Sequence, residues 1–205
     1  MPTESPVAQA KRLTCEVCLR PQSSCICQWI TPTEHIVEVL ILQHPQEVHQ
    51  AKGSARLLHL SLPHSRMVTG EVFAVDALRS SKHSILLYPD SPEDKTLGIL
   101  KPPTLNQAWL ENPAQLRLIV LDGTWRKSRK MLYRNPLLQQ LPRLQLRGMS
   151  ASQYLIRKAH RPDQLSTLEA TCAALAELEG NAEKFSPLLS AFDGFVAQQL
   201  GYRLT

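Results

Sequence analysis

Four cysteines near the start of the chain have the spacing of a metal site. They are Cys15, Cys18, Cys25 and Cys27, in the pattern Cys-x2-Cys-x6-Cys-x-Cys. Thiolates bind zinc tetrahedrally, and in a reducing compartment clustered cysteines favour a metal over disulfides. Disulfides, a redox pair and an iron–sulfur cluster are the alternatives. Four protein ligands leave no open coordination position, so the spacing predicts a structural Zn²⁺ rather than a catalytic one.

A second group of reactive residue types follows an apolar segment in the middle of the chain. Asp122, Gly123, Thr124 and Trp125 come directly after "LRLIVL" at 116–121. An Asp or Thr ahead of a helix often caps it, and a Trp is often part of a core. These roles explain each residue separately, but not an acid, a hydroxyl and an indole together at the end of a strand. The combination indicates a ligand site.

The segment after this motif carries a stripe of positive charge. Arg126, Lys130 and Arg134 are spaced four apart, so on a helix they lie on one face. The flanking basic residues are Lys127 and Arg129. A solvated face is the ordinary meaning of such a stripe. No acidic residue lies between positions 123 and 162 to neutralise it, however, and that absence favours a surface that faces phosphate.

A similar combination recurs further along the chain. Arg157, Lys158 and Arg161 precede Ser166 and Thr167, whose hydroxyls lie where a helix is expected to begin. Helix N-termini bind anions well, so these hydroxyls are candidates for contact with a ligand. Ser166 also fits a capping box with the acid three residues later, and pure capping is the simpler account.

These residues must be positioned by strands and helices that alternate along the chain. Apolar or alternating segments at 35–42, 83–89, 116–121 and 143–147 predict strands, and 53–62, 124–135, the segment from Ser166 or Thr167 onward, and 186–203 predict helices. This order predicts an α/β fold, with a mainly parallel sheet and helices on both faces. Ligands bind beyond the carboxyl ends of such strands. Tyr88 and Leu121 lie at two of these ends, where Tyr88 either stacks on a ligand or seals the sheet.

Composition narrows the class of protein. The chain has 205 residues, 43% of them hydrophobic, and a formal net charge of +5. The excess of positive charge suggests a polyanion or an anionic small molecule as partner. No apolar run approaches the length of about 20 residues that crosses a bilayer, and the N-terminus lacks signal-peptide form, so we expect a cytosolic protein without a membrane partner. The expected division is a flexible lead over 1–12, a zinc module over 13–30 and one catalytic domain over 31–205.

The motifs taken together resemble the DTW-domain family. Asp122 to Trp125 match the Asp-x-Thr-Trp signature of that family. The four cysteines and the segments "LQHPQE", "LLYPD", "LDGTWRKSRKM" and "YLIRKAHRPDQLSTLEA" resemble it in order and spacing, over nearly the whole chain from Cys15 to the last helix. Bacterial members are tRNA-uridine aminocarboxypropyltransferases. They resemble SPOUT-type enzymes, which implies a knotted cofactor site.

The resemblance implies a reaction and a role for each group of residues. S-adenosylmethionine would donate its 3-amino-3-carboxypropyl group to N3 of a variable-loop uridine in tRNA, giving acp3U and methylthioadenosine. Asp122 is the candidate general base, or else it orients the ammonium of the donor. The candidate donor-binding residues are Tyr88, Leu121, Thr124, Trp125, Ser166 and Thr167. The candidate tRNA-binding residues are Arg126, Lys127, Arg129, Lys130, Arg134, Arg157, Lys158 and Arg161.

Two other functions fit the same residues. A SPOUT-like RNA methyltransferase would use the same donor and transfer its methyl group instead. A zinc-stabilised RNA-binding protein without catalysis would keep the basic surface and the metal site alone. The sequence leaves open which tRNAs are modified, whether the zinc module contacts tRNA and whether the protein is a monomer.

Overall fold

The fold is an α/β arrangement around one parallel sheet. The computed structural model describes residues 13–89, 101–146 and 165–202. The strands are β1 (Glu38–Gln43), β2 (Ser65–Thr69), β3 (His83–Leu87), β4 (Leu116–Asp122) and β5 (Arg143–Leu144). Their order in the sheet is β2-β1-β4-β3-β5, and every pairing is parallel. All five carboxyl ends therefore meet at one edge of the sheet, which we call the carboxyl edge.

Six α-helices accompany the sheet in the described part of the chain. They are α1 (Ala55–Ser61), α2 (Val75–Leu78), α3 (Trp125–Arg134), α4 (Pro136–Gln139), α5 (Thr167–Glu179) and α6 (Ser186–Gly201). The start of α5 is fixed by a capping box between Ser166 and Glu169, and Gly180 ends it with a left-handed φ of 64°. Glycine is favoured there because a side chain disfavours that backbone conformation.

Alternate residues of strand β1 pack in two separate cores. Val39 and Ile41 of β1 pack in one core with α1, α5 and α6, whereas Leu40 and Leu42 pack in the other with α3 and α4. Successive side chains of a strand point to opposite faces, so an apolar run such as "VLIL" is buried on both sides. The predicted sheet with helices on both faces is thereby confirmed.

The strands that the sequence predicts are present, with one addition. Strand β2 was not predicted because it lies at the edge of the sheet and its "SRMVT" sequence is only partly buried. At the other edge, β5 covers only two residues of the predicted 143–147. A knotted cofactor site stays a prediction, because the connection from β5 to α5 includes residues 147–164, which lie outside the described residues.

Candidate active site at the carboxyl edge

The connections after β1 and β4 leave the carboxyl edge towards opposite faces of the sheet, and we call the part of the edge between these strands the crevice. The helix that follows β1, α1, packs on one face of the sheet, and the helix that follows β4, α3, packs on the other. In parallel sheets, ligands bind where connections from neighbouring strands leave in opposite directions. The last residues of the two strands, Gln43 and Asp122, are register partners and stand at this point.

Asp122 lies in this crevice with both carboxylate oxygens engaged. Gln43 Nε2 donates to Oδ2 over 2.9 Å, and the Thr167 hydroxyl donates to Oδ1 over 2.7 Å. The side chain is only 5% exposed. Asp122 does not cap α3, since Thr124 occupies the N-cap position. The carboxylate instead joins β4 to β1 and to the first turn of α5.

The surroundings of Asp122 make it a stronger base than a carboxylate in water. Burial raises its pKa, because the charged form loses solvent, and the charge of Glu47 acts in the same direction. The hydrogen bonds from Gln43 and Thr167, and the charge of Lys127, lower the pKa and offset part of this effect. The net change is upward, towards the range in which a carboxylate accepts a proton at neutral pH.

Thr124 and Trp125 begin α3 and point away from the core. Thr124 makes no side-chain capping bond and is exposed. Trp125 is 56% exposed, so the interpretation of this indole as a core residue is wrong. Met131 and Leu132, which lie further along α3, are the residues of this helix that pack in the core. An exposed indole beside a buried carboxylate is available to stack on a ligand.

Tyr88 supports this indole from the neighbouring strand. Its ring meets Trp125 edge-on, with 5.7 Å between the ring centroids, and the Arg143 guanidinium lies 5.2 Å from the tyrosine centroid. Burial raises the pKa of Tyr88, so the phenol stays protonated. Leu121 is half-buried and packs beside the α3 core. Four of the predicted donor-site residues, Tyr88, Leu121, Thr124 and Trp125, thus come from the ends of adjacent strands β3 and β4.

Ser166 and Thr167 reach the same edge from α5. The Ser166 hydroxyl accepts from the backbone N–H of Glu169, and Glu169 accepts in return from the Ser166 N–H. The predicted capping box is therefore confirmed. The Thr167 hydroxyl is used differently, because it binds Asp122. Both hydroxyls have protein partners, and their predicted contact with a donor stays a prediction.

The basic face of α3 is partly neutralised by acids from distant segments. Glu71 accepts from Lys130 at 2.8 Å and from Arg134 at 2.5 Å, and Glu47 pairs with Lys127 at 2.7 Å. The inference that this stripe lacks acidic partners is therefore wrong, because the partners come from the chain beyond β1 and β2. Hydrogen bonds and charge from Lys130 and Arg134, assisted by His44, lower the pKa of Glu71 to about 2.

Two arginines of α3 other than Arg134 are also exposed. They are Arg126 and Arg129. Arg126 has no ion pair with any residue in the described ranges, so its charge is directed to solvent. The other predicted tRNA-binding residues, Arg157, Lys158 and Arg161, lie outside the described residues.

The four N-terminal cysteines converge as the sequence predicts. Their sulfur atoms all lie within 4.8 Å of one another. Cys15 and Cys27 are 3.5 Å apart, and Cys18 and Cys25 are 3.7 Å apart. Sulfurs bound at about 2.3 Å to one tetrahedral zinc lie roughly 3.8 Å from each other, so this donor set fits a zinc ion. Backbone N–H groups of Cys18 and Val17 lower the pKa of Cys15 to about 6, which favours its thiolate form.

The cysteine module is docked on the main core. Cys18 and Ile26 are buried in the same core as α1, α5 and α6. The Trp29 indole donates to Gln198 of α6 over 2.6 Å, and a side chain at Gly194 would collide with that indole. The module therefore shares the packing of the α/β body, whereas its description as a separate domain over 13–30 stays a prediction.

Sequence reasoning missed Gln43 and Glu71. Gln43 is the last residue of β1, so the rule that pointed to strand ends could have found it. Glu71 follows β2, which was not predicted, and its partners on α3 are about 60 positions away. No local pattern identifies such a contact.

An α/β protein with a buried carboxylate in its strand-end crevice belongs to the class of folds that bind small ligands there. The family model for the DTW domain matches residues 12–200. The chain therefore belongs to the DTW-domain family, as its motifs predict.

Three curated relatives share one name, tRNA-uridine aminocarboxypropyltransferase 2. The protein from Macaca fascicularis is 29% identical, with 96% of this chain and 67% of the relative aligned. The mouse protein is 30% identical over 86% of this chain and 60% of its own length. The Drosophila melanogaster protein is 30% identical over 84% and 69%. This chain thus spans about two thirds of the length of these relatives.

No solved structure matches the chain significantly. Within the described ranges, none of the helices has the length and apolar character needed to traverse a bilayer.

Proposed function

We propose that this protein is a tRNA-uridine aminocarboxypropyltransferase. It transfers the 3-amino-3-carboxypropyl group of S-adenosylmethionine to N3 of a variable-loop uridine in tRNA and releases methylthioadenosine. The observation that carries the proposal is the buried carboxylate of Asp122, held in the crevice between β1 and β4. The names of the relatives give the reaction class, and the crevice supplies a group suited to it.

Asp122 acts as the general base. Uridine N3–H is a weak acid, and its proton must leave as N3 attacks the carbon attached to the sulfonium. The new N3–C bond forms while the C–S bond breaks, the sulfur keeps the electron pair as a neutral thioether, and the proton passes to the carboxylate. Burial raises the pKa of Asp122, which strengthens it as an acceptor.

The second role open to Asp122 is to orient the ammonium of the donor. A carboxylate held by two neutral donors keeps its charge and its direction, and both properties suit an ion pair. The two roles differ in measurable ways. Loss of a base lowers the rate of transfer at unchanged donor affinity, whereas loss of an orienting group weakens donor binding.

The donor lies along the ends of β3 and β4. Tyr88 and Leu121 form an apolar floor, and the exposed indole of Trp125 offers a face for adenine, for the sulfonium or for the target base. The exposed hydroxyl of Thr124 is a hydrogen-bonding group for the polar end of the donor. Ser166 and Thr167 complete the edge, with Thr167 also holding Asp122.

The exposed basic residues beside the crevice bind the tRNA backbone. Arg126 and Arg129 are the described residues best placed for this, and Arg157, Lys158 and Arg161 extend the same charge along the sequence. The four cysteines hold a structural zinc that stabilises the N-terminal module. We place the protein in the cytoplasm, where tRNA is available and cysteines remain reduced.

The proposal is tested by the label that reaches tRNA. Donor carrying ¹⁴C in its carboxyl group should label unmodified tRNA, and mass spectrometry of the digested tRNA should find acp3U. Donor labelled in the methyl group should leave tRNA unlabelled. The opposite pattern would establish methyl transfer, and failure of both labels with intact tRNA binding would establish a binding protein.

A further inference from the structure

A second cavity lies between the cysteine module, the loop after β1 and the end of α6. Its volume is about 440 Å³, within the range of roughly 300–1,000 Å³ of small-molecule pockets. The lining residues are Pro21, Ser23 and Ser24 from the module, Ala51 and Lys52 from the loop, and Gln199 and Tyr202 from the last helix and its end. None of these residues belongs to the crevice around Asp122.

Two polar groups of this cavity, the Lys52 ammonium and the Ser23 hydroxyl, are available to a ligand. Lys52 is exposed, and its ammonium has no ion pair with any residue in the ranges 13–89, 101–146 and 165–202. The Ser23 hydroxyl is likewise without a hydrogen bond to the described residues. An ammonium has no acceptor to offer, so the cavity suits a ligand that presents oxygen acceptors.

The side chain of Gln199 provides a second observation that indicates a ligand, independent of the charge on Lys52. Its side chain is only 9% exposed, and its Nε2 is buried with no acceptor among the described residues. A buried donor without a partner costs stability, and natural proteins tolerate such groups mainly where function uses them. This nitrogen is closed to solvent, so an acceptor on a ligand in the cavity would satisfy the amide once the Gln199 side chain rotates towards it.

The remaining walls suit a flat ring. Pro21, Ala51 and the ring of Tyr202 contribute apolar surface. The Tyr202 hydroxyl donates to the carbonyl of Ser23 over 2.7 Å, which holds the tyrosine against the module. A nucleobase combines a flat apolar face with carbonyl oxygens at its edge, and its phosphate is the natural partner of a free ammonium.

The loop that carries Lys52 is connected directly to the candidate active site. Two residues further on, the hydroxyl of Ser54 accepts from the backbone N–H of Leu168 over 3.3 Å. The preceding residue, Thr167, binds Asp122. Arg20 of the module donates to the carbonyl of Gly53 over 2.9 Å, so the cysteine module holds the same loop.

We propose that this cavity binds an unpaired nucleotide of the tRNA other than the target uridine. The inference rests on the proposed function, which supplies the RNA. Lys52 contacts the phosphate of this nucleotide, and Gln199 and Ser23 donate to oxygens of the base or ribose. The cysteine module thus becomes part of the tRNA-binding surface, because it forms one wall of the cavity.

The test compares Lys52→Ala and Gln199→Leu with Lys82→Ala. Lys82 precedes β3 at the amino end of the sheet, where its ammonium lies 3.9 Å from Glu38, and its replacement controls for the loss of one positive charge. Thermal melting and zinc content establish that each variant is folded. For each folded variant, transfer kinetics give KM for tRNA and kcat, calorimetry gives the affinity for S-adenosylmethionine, and filter binding gives tRNA affinity as a function of salt.

We expect Lys52→Ala to raise KM for tRNA about five- to tenfold, with kcat and donor affinity unchanged. Its plot of log affinity against log salt should be shallower by about 0.7, the value for one contact to single-stranded phosphate. Gln199→Leu should raise KM about threefold and leave the salt slope unchanged. Lys82→Ala should match the wild type.

Equal behaviour of Lys52→Ala and Lys82→Ala would overturn the proposal, as would a wild-type KM in folded Gln199→Leu. These outcomes are distinguishable from failure of the proposed function, in which the wild type transfers no label to tRNA. In that case the filter-binding comparison alone decides, and an unchanged slope in Lys52→Ala again overturns the cavity proposal.

Discussion

The cysteine cluster and the Asp122 cluster differ in the kinds of residue they contain and in how far apart those residues are in the chain. The cysteines are four like ligands within 13 positions, and their sulfurs converge within 4.8 Å. Asp122 is a single acid whose partners, an amide and a hydroxyl, come from positions 43 and 167. A metal can satisfy all four cysteines, whereas the neutral donors around Asp122 only partly replace the water that it has lost.

Under the proposed function, this difference separates a site that stabilises the fold from a site that reacts. Metal binding to a closed site contributes directly to the stability of the fold. The raised pKa of Asp122 shows, in contrast, that folding destabilises the charged form of this carboxyl. The stability associated with this carboxyl is present below the unfolded pKa of about 3.9 and declines as pH rises through the higher folded value. The buried charge of Asp122 therefore lowers the stability of the fold at neutral pH, while it leaves a basic carboxylate in the crevice.

The largest expected effect is loss of the metal. Cys15→Ser should reduce zinc from one equivalent per chain to almost none. Structural zinc contributes about 10–16 kcal/mol in small zinc-finger peptides, and losing even about 4 kcal/mol would lower Tm by roughly 8–16 °C. Metal analysis and thermal melting measure both quantities. Cys172→Ala is the control, since this buried cysteine lies outside the cluster and its variant should retain zinc. Full zinc content in Cys15→Ser would contradict the assignment.

The hydrogen bonds to Asp122 should control the pH dependence of transfer. Thr167→Val removes a donor that favours the charged carboxylate, so the pKa of Asp122 should rise further. A hydrogen bond to a charged group contributes about 1.5–3 kcal/mol, equivalent to a shift of about 1–2 pH units. The acidic limb of kcat/KM against pH should move upward by that amount, so that activity at a pH on this limb falls about 10- to 100-fold.

Thr171→Val provides the matched control for this experiment. Thr171 lies one turn further along α5, and its hydroxyl binds the carbonyl of Thr167 rather than Asp122. Its pH profile should match the wild type. If the profile of Thr167→Val also matches, Asp122 is not the group whose deprotonation limits the reaction.

A smaller effect should follow from freeing the basic face of α3. Glu71→Gln removes the acid that pairs with Lys130 and Arg134. If this face meets phosphate, tRNA affinity at low salt should rise about two- to fivefold, and the salt slope should steepen. Glu183→Gln, which removes one negative charge from the short helix after α5, is the control. Equal changes in both variants would show that net charge alone is responsible.

The contrast between the two clusters also explains what the sequence predicts. The cysteines are close together in the chain, so their spacing alone predicts that their sulfurs converge, as they do in the structure. The apolar run over 116–121 likewise predicts a buried strand directly before Asp122, and the structure extends this strand to Asp122 itself. The partners of Asp122 are 79 and 45 positions away. Gln43 meets it because β4 pairs with β1 in the sheet, and Thr167 meets it because α5 packs against one face of that sheet.

The two wrong interpretations have the same origin. Trp125 has the spacing of a core residue on α3, but the helix turns its first residue towards solvent above Tyr88. The basic stripe has no acid nearby in sequence, yet Glu71 reaches it across the sheet edge. Local periodicity specifies the face of a helix, and only the packed sheet specifies what that face meets.

The most direct test of the account uses Asp122→Asn. This variant keeps the shape of the side chain and removes its basicity. Single-turnover transfer of carboxyl-labelled S-adenosylmethionine to tRNA should slow by about 10²–10⁴-fold, the usual contribution of general acid–base catalysis. Calorimetric donor affinity should stay within about twofold of the wild type. Transfer at the wild-type rate, or a loss of donor affinity as large as the loss of rate, would contradict the role of Asp122 as the base.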